Sequence, residues 1–165
     1  MGFCFRGEIL GEDLFYFLKT EYHDLMKDEK MKTQPSTKYK GEDDVPCYMA
    51  LYDSDLDLYW AVPISSKVPK YKGIYEDKVK KYKRCDTIVF GEVLGYEKAF
   101  LIQNMTPVKK EHIAKQYTDK FGVSVGVSTE LKKEIKTKVK KVLALHKQGK
   151  KVVFTDIDKM LEKIL

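Results

Sequence analysis

Cys47-Tyr48-Met49-Ala50-Leu51-Tyr52 and Leu58-Tyr59-Trp60-Ala61-Val62-Pro63-Ile64 are two apolar-rich runs separated by Asp53-Ser54-Asp55-Leu56-Asp57. Short runs rich in aromatic and branched residues, joined by a polar turn, read as a β-hairpin. A second hairpin follows, with strands from Asp86 to Leu94 and from Lys98 to Gln103 and a turn at Gly95-Tyr96. Within it Ile88, Phe90 and Glu92 alternate against Val89, Gly91 and Val93, as strand residues facing two sides do. Upstream, Leu14-Phe15-Tyr16-Phe17-Leu18 is a short buried strand, and Thr20 is placed to cap a helix through about Lys30. The polar stretch 27–44, with Pro35, Ser36 and Gly41, reads as a long loop of the kind that tends to carry function.

Downstream, Thr106-Pro107 reads as a helix start, Thr as cap and Pro in the first turn, and predicts a helix to about Lys120. Residues 121–127 alternate apolar with Gly and Ser and are open between loop and strand. Ser128 caps a helix running to Lys147 and stopped by Gly149, with Leu131, Ile135, Val139, Val142 and Leu145 or His146 on one face. Thr155 with Asp158 forms a capping box for a last helix bearing Ile157, Met160, Leu161 and Ile164. Strands concentrated at 45–103, with helices at both ends, predict an α+β fold built on an antiparallel sheet.

The 165 residues are 43% hydrophobic and 34% charged, which suits a single domain with one real core and a wet surface. The longest apolar run, Leu58 to Ile64, is too short to span a membrane. Met1-Gly2-Phe3-Cys4-Phe5-Arg6 carries neither a signal-peptide pattern nor the Ser/Thr of a myristoylation signal. Cys4, Cys47 and Cys85 are scattered, and are expected to be reduced thiols of a cytoplasmic protein, not a disulfide frame or zinc site.

Charge is placed unevenly. The net charge is +6, yet residues 1–66 sum to −6 and residues 67–165 to +12. From Lys67 to Arg84 eight basic residues meet two acidic ones, interleaved with Tyr71, Tyr75 and Tyr82 in an order that looks irregular, not helical. From Glu130 to Lys151 there are nine lysines and two glutamates, which suits either a polyanion partner or a merely soluble helix. Clustered lysines are an electrostatic footprint for a polyanion, and interleaved tyrosines offer faces on which unpaired bases stack.

Several sites fail on their residues. Asp53-Ser54-Asp55-Leu56-Asp57 begins like a calcium loop but has Leu58 where glycine is needed and Ile64 where a bidentate glutamate is needed. Glu42-Asp43-Asp44 is a consecutive acidic run in a loop, with no second carboxylate cluster to complete a two-metal nuclease site. His23, His112 and His146 are isolated. No Gly-rich phosphate loop, nucleophile elbow or HExxH is present. No metal and no cofactor is expected.

The charge reverses at Val62-Pro63-Ile64-Ser65-Ser66-Lys67-Val68-Pro69-Lys70-Tyr71-Lys72. Two hydroxyls and three lysines lie between Ser65 and Lys72, where a buried strand ends. Cleaving RNA without metal requires deprotonating the 2′-hydroxyl, protonating the leaving oxygen and stabilising charge on phosphorus. Ammonium and hydroxyl groups can do the stabilising, and a lysine of depressed pKa can move a proton. Read from composition alone, the same stretch favours a plain strand-to-loop junction over an active site.

Tyr59-Trp60-Ala61-Val62-Pro63-Ile64-Ser65-Ser66-Lys67 resembles the apolar–Pro–Leu/Ile–Ser/Thr–Ser–basic segment of the ToxN/AbiQ family, endoribonuclease toxins of type III toxin–antitoxin systems. The similarity is greatest to the branch called CptN. Ala99-Phe100-Leu101-Ile102-Gln103-Asn104-Met105-Thr106-Pro107-Val108 resembles that family's apolar strand followed by Asn-Met-x-Pro. Phe154-Thr155-Asp156-Ile157-Asp158-Lys159-Met160-Leu161 is similar to its terminal helix. Order and spacing agree over residues 14–165, leaving 1–13 as an N-terminal extension to a single domain.

The resemblance implies a strongly bent, Kid/MazF-like antiparallel sheet flanked by helices, and a cytoplasmic, metal-independent ribonuclease leaving 2′,3′-cyclic phosphate and 5′-hydroxyl ends. It implies as partners target RNAs and a small repeat-derived antitoxin RNA, held as a pseudoknot in a closed toxin–RNA hetero-oligomer. Ser66 matches the family's key serine and Ser65 the residue before it. The family has Ser-Pro-Lys where this chain has Ser66-Lys67-Val68, so the lysine implied is Lys67, with Lys70 as the alternative. Tyr39 and Lys40 match its upstream tyrosine and basic residue. Lys72, Lys80, Lys81, Lys83 and Arg84, with Lys132, Lys133, Lys136 and Lys140, are then expected along the RNA backbone. A non-catalytic RNA-binding module using the same surface is the competing reading.

Overall fold

The structure, a computed structural model, describes residues 11–26 and 46–165 of the 165-residue chain. Seven strands form one open antiparallel sheet: β1 (Phe15–Leu18), β2 (Cys47–Asp53), β3 (Leu58–Ser65), β4 (Ile88–Val93), β5 (Tyr96–Leu101), β6 (Thr106–Val108) and β7 (Ile113–Gln116). Four helices accompany them: α1 (Thr20–Met26), α2 (Val68–Tyr82), α3 (Thr129–Lys147) and α4 (Ile157–Ile164). The architecture is α+β, and the strand order is β4-β5-β3-β2-β1-β7, with β6 paired to β3.

Both expected hairpins form. β2 pairs with β3 from Asp53↔Leu58 to Cys47↔Pro63, with an irregularity between Met49 and Leu51 where a bulge bends β2. Asp53 fixes the turn by accepting from the backbone N–H groups of Asp55 and Leu56. β4 and β5 pair throughout, and Leu94 (φ 53°) and Gly95 (φ 84°) put both turn residues in the left-handed region that a two-residue hairpin loop demands.

β3 organises the molecule. One of its edges carries β6 on residues 59–61 and then β5 on residues 64–65, with the 3-10 turn Ile102–Asn104 joining the two partners. Pro63 falls in the gap between these pairings, where a residue without an N–H is tolerated.

Successive strand residues feed different cores. Phe15, Tyr48, Ala50, Trp60, Val62, Ile64, Val89 and Phe100 pack with Leu131, Ile135, Val139 and Val142 of α3. Each of those four α3 side chains stabilises the fold by about 1.5–3 kcal/mol through burial. The alternate residues Tyr16, Leu18, Cys47, Met49 and Ala61 pack on the other face with α1 and with Met160 of α4. Ile88, Ala99 and Leu101, also on that face, carry α2 through Tyr71. Helices therefore cover both faces of the sheet, α3 on one and α1 and α2 on the other, while α4 serves both cores, Ile157 and Leu161 joining the α3 side and Met160 the other.

Four local expectations are corrected. Thr106 does not start a helix: Thr106, Pro107 and Val108 pair with Ala61, Trp60 and Tyr59, and residues 113–116 pair with β1. A Thr-Pro step serves an edge strand as well as a helix start, because β6 has a single partner strand among the described residues and proline, which has no N–H, leaves no donor idle at the open edge. Residues 68–82 are a helix, not an irregular segment. Its inner line, buried at Val68 and Tyr71 and partly buried at Tyr75 and Val79, has helical spacing, and Pro69 sits in its first turn. The cap of α4 is Asp156, which accepts from Lys159 N–H at 3.2 Å, whereas Thr155 is buried with its hydroxyl donating to the Met105 carbonyl at 2.8 Å. Thr20 lies inside α1, one residue after Lys19, instead of preceding it, and α1 is described only to Met26.

Ser128 does cap α3, accepting from Leu131 N–H at 3.2 Å, and Gly149 (φ 85°) follows its end. Residues 118–124 close a small turn through a Thr118–Ser124 bridge, with Gly122 at φ 81°. Glu12 and Asp13, assigned from sequence to the extension, are tied to the sheet: Asp13 accepts from the Tyr48 hydroxyl at 2.8 Å and Glu12 pairs with Lys136 at 3.2 Å.

Candidate nucleic-acid interface

Ser65 is the last residue of β3, paired with Ala99 of β5. This pairing turns its side chain to the face that carries α2. Its Oγ accepts from Lys67 N–H at 3.1 Å, closing a tight corner between strand and helix. Ser66 is exposed at the apex of that corner and Lys67 is exposed at the N-cap of α2, with no side-chain cap bond. In the first helical turn Pro69 has no N–H, while the amides of Val68 and Lys70 have no intrahelical acceptor. A hydroxyl, two unused amides and the positive end of a 15-residue helix thus converge beside Lys67 and Lys70, a favourable environment for an oxyanion. Lys70 is exposed, its ammonium 5.3 Å from the Tyr71 ring centroid. Tyr39 and Lys40, with Glu42, Asp43 and Asp44, lie outside the described residues.

The remaining basic residues divide into groups. Lys72 is held by Glu97 at 3.3 Å and lies over the Phe90 ring, so it faces the second hairpin. Lys80, Lys81 and Lys83 are exposed at the far end of α2, about 22 Å from Ser66 at 1.5 Å per residue. Among the described residues none of Lys67, Lys70, Lys80, Lys81 or Lys83 has a carboxylate partner. Arg84 follows, its Nε 3.0 Å from Asp86 Oδ2. Lys132, Lys133, Lys136 and Lys140 are on α3, across the sheet from the serine corner, and Lys136 is taken up by Glu12.

Sequence reasoning missed how these groups join. The loop 83–87 passes the β4 edge of the sheet and meets α3. Lys138 donates to the Cys85 carbonyl at 3.1 Å, and Lys141 pairs with Asp86 at 3.0 Å. Arg84, Asp86, Lys133, Glu134, Thr137, Lys138 and Lys141 line a cleft of about 290 Å³ there. Burial pushes the Asp86 carboxyl up, but the hydrogen bonds and charges of Lys141 and Arg84 outweigh it and hold the group below the usual carboxylate range. The signal available in sequence was a single aspartate just after a basic run, opposite lysines three apart on α3.

No protein-family model matches the chain, and no curated protein matches it in sequence. The chemistry must therefore be argued from its own residues. Among the described residues no three His, Cys, Asp or Glu side chains gather as a metal site, and no helix is long and apolar enough to cross a membrane. Cys47 and Cys85 are buried thiols outside any disulfide, and burial pushes the Cys47 thiol up to about 12, which makes it a poor nucleophile. His112 is half-buried; burial lowers its pKa, Lys19 and Lys109 add to this and Glu111 opposes it. Its Nδ1 accepts from Lys109 N–H at 3.1 Å, a structural use that needs the neutral ring.

Proposed function

We propose that this chain is a metal-independent endoribonuclease of the ToxN/AbiQ kind, closest to the CptN branch, acting in the cytoplasm as the toxin of a type III toxin–antitoxin pair. A repeat-derived antitoxin RNA would both be its product and, as a pseudoknot in a closed assembly, its inhibitor. A Kid/MazF-like course of the bent sheet belongs to the same proposal.

The observation that carries it is the corner Ser65–Ser66–Lys67, exposed at the end of a buried strand and at the N-terminus of α2. Ser66 Oγ and the free amides of Val68 and Lys70 would receive a non-bridging phosphate oxygen. As the 2′-oxygen gives its proton to solvent and attacks phosphorus, Lys67, or Lys70 one turn along, would carry the charge that accumulates or supply the proton taken up by the leaving 5′-oxygen. The products of that displacement are a 2′,3′-cyclic phosphate and a 5′-hydroxyl. Preorganised donors of this type are each worth about 10²–10³ in rate.

Ser66→Ala tests the reading. Cleavage of RNA in EDTA should fall by about 10²-fold or more, while RNA affinity in a filter or anisotropy assay stays within a few-fold. Loss of binding and cleavage together, or full activity in the variant, would contradict the role given to Ser66. RNA binding without any cleavage by the wild-type chain would favour the non-catalytic module.

A further inference from the structure

The two lysine-rich segments of the sequence sit on helices packed against opposite faces of the sheet, and they meet in the cleft at the β4 edge. Four cations line this cleft, Arg84, Lys133, Lys138 and Lys141, against two carboxylates, Asp86 and Glu134. We propose that it is a seat for a phosphate group, and specifically for a backbone phosphodiester of single-stranded RNA lying several nucleotides from the bond cleaved at Ser66.

Asp86 is the element that makes this a site and not a loose collection of charges. Its side chain is only 14% exposed, and its carboxylate holds Arg84 Nε and Lys141 Nζ, each at 3.0 Å. One acid between two cations positions both but neutralises one, so a positive charge remains at fixed geometry. Lys138 is held in the same way: it donates to the Cys85 carbonyl at 3.1 Å and lies 3.3 Å from Glu134 across one turn of α3. Lys133 has no carboxylate partner among the described residues, and Thr137 adds a hydroxyl to the wall. Cations whose side chains are already ordered lose little freedom when an anion arrives, which is where flexible surface lysines lose affinity.

The geometry also gives the seat a use. α2 begins at the serine corner and ends at the cleft, about 22 Å away, and Lys80 and Lys81 in its last turn and Lys83 at its C-cap have no carboxylate partner among the described residues. An RNA strand following α2 from Ser66 therefore arrives at Arg84 and Lys141. The seat would act on affinity and register and leave the chemical step to the corner. The RNA part of this inference rests on the ribonuclease reading; the phosphate part does not.

The test uses the full chain and pairs Arg84→Gln/Lys133→Gln with a charge-matched control, Lys110→Gln/Lys159→Gln, outside the cleft. Binding of a short single-stranded RNA to Ser66→Ala backgrounds is followed by anisotropy from low to moderate salt. The cleft pair should weaken binding about tenfold or more beyond the control and flatten the log–log salt dependence by about one phosphate contact. In a second arm, inorganic phosphate is titrated against each protein and the amide shifts of residues 84–86 and 133–141 are followed by NMR. Saturable shifts lost in the cleft pair support the phosphate seat even if no RNA binds, in which case the ribonuclease reading fails alone. RNA bound equally by both pairs in that background and cleaved normally by both pairs when Ser66 is intact, with no saturable shifts, would overturn the seat and leave the ribonuclease reading standing.

Discussion

Gly91 lies directly against the first turn of α3. A Cβ built at this position meets Leu131 Cδ2 at 2.1 Å, Cδ1 at 2.7 Å and Cγ at 3.0 Å. Gly91→Ala therefore requires Leu131 to leave its rotamer or the first turn of α3 to lift by more than an ångström. Overpacking of this kind costs about 1–3 kcal/mol. The alanine returns up to about 1 kcal/mol by restricting the unfolded chain. The expected net effect is a destabilisation of about 1–2 kcal/mol, measured as a lower urea midpoint at unchanged m-value. Leu131 also lies two residues from Lys133 and two turns from Lys138, so the same change should disturb the cleft. A double-mutant cycle isolates the contact. Leu131→Ala alone opens a cavity and costs about 2–5 kcal/mol, but in the Gly91→Ala background the new methyl occupies part of that space. The pair should therefore destabilise by about 1–2 kcal/mol less than the sum of the two. A Gly91→Ala protein as stable as the parent, or a strictly additive pair, would show that the α3–β4 contact is not as tight as described.

Leu94 holds φ 53° in the β4–β5 turn with its side chain half exposed. Leu94→Gly should stabilise the protein, or leave it neutral, by relieving about 1 kcal/mol of left-handed strain; a clear fall in melting temperature would mean that the leucine side chain contributes more than its backbone loses. His112 sets a pH dependence. Burial, with Lys19 and Lys109, holds its folded pKa below the ordinary 6.5. Between these two values the unfolded chain binds the extra proton, so stability is full above about pH 6.5 and declines as pH falls through the folded pKa. The stability difference between wild type and His112→Asn, taken by denaturant titration from pH 7.5 to 5, should shrink on acidification. A difference that is flat over that range would remove the neutral-histidine argument.

The fold was largely legible where one residue type had one structural meaning. Apolar-rich runs in 47–64 and alternation in 88–93 marked two hairpins, because a short apolar run bounded by turn residues fits a strand covered on both faces and a period of two fits strand residues facing two sides. Leu131, Ile135, Val139 and Val142 marked the buried line of α3 for the same reason. Reading failed where one signal served two structures. Thr106-Pro107 suits a helix start or an edge strand, and the choice is made by Ala61 and Trp60, more than forty residues away. In 68–82 the tyrosines count as apolar on the buried face and as polar on the exposed one, so the helical period was hidden. Of the candidate site, the corner Ser65–Lys67 and the basic end of α2 were visible as local features. The cleft was not, because Asp86 and Lys141 are far apart in the chain and only the packing of α3 across the β4 edge brings them together.

β3 is hydrogen-bonded to β2 as far as Pro63 and to β5 through Ser65, and the next residues are already turning into a 15-residue helix. The serine apex is thus mounted like a bracket on a strand paired along both edges. It cannot swing toward a ligand without tearing the sheet. A strand that bound there would have to bend to meet it, and selection among sequences would then fall on how readily the incoming strand kinks.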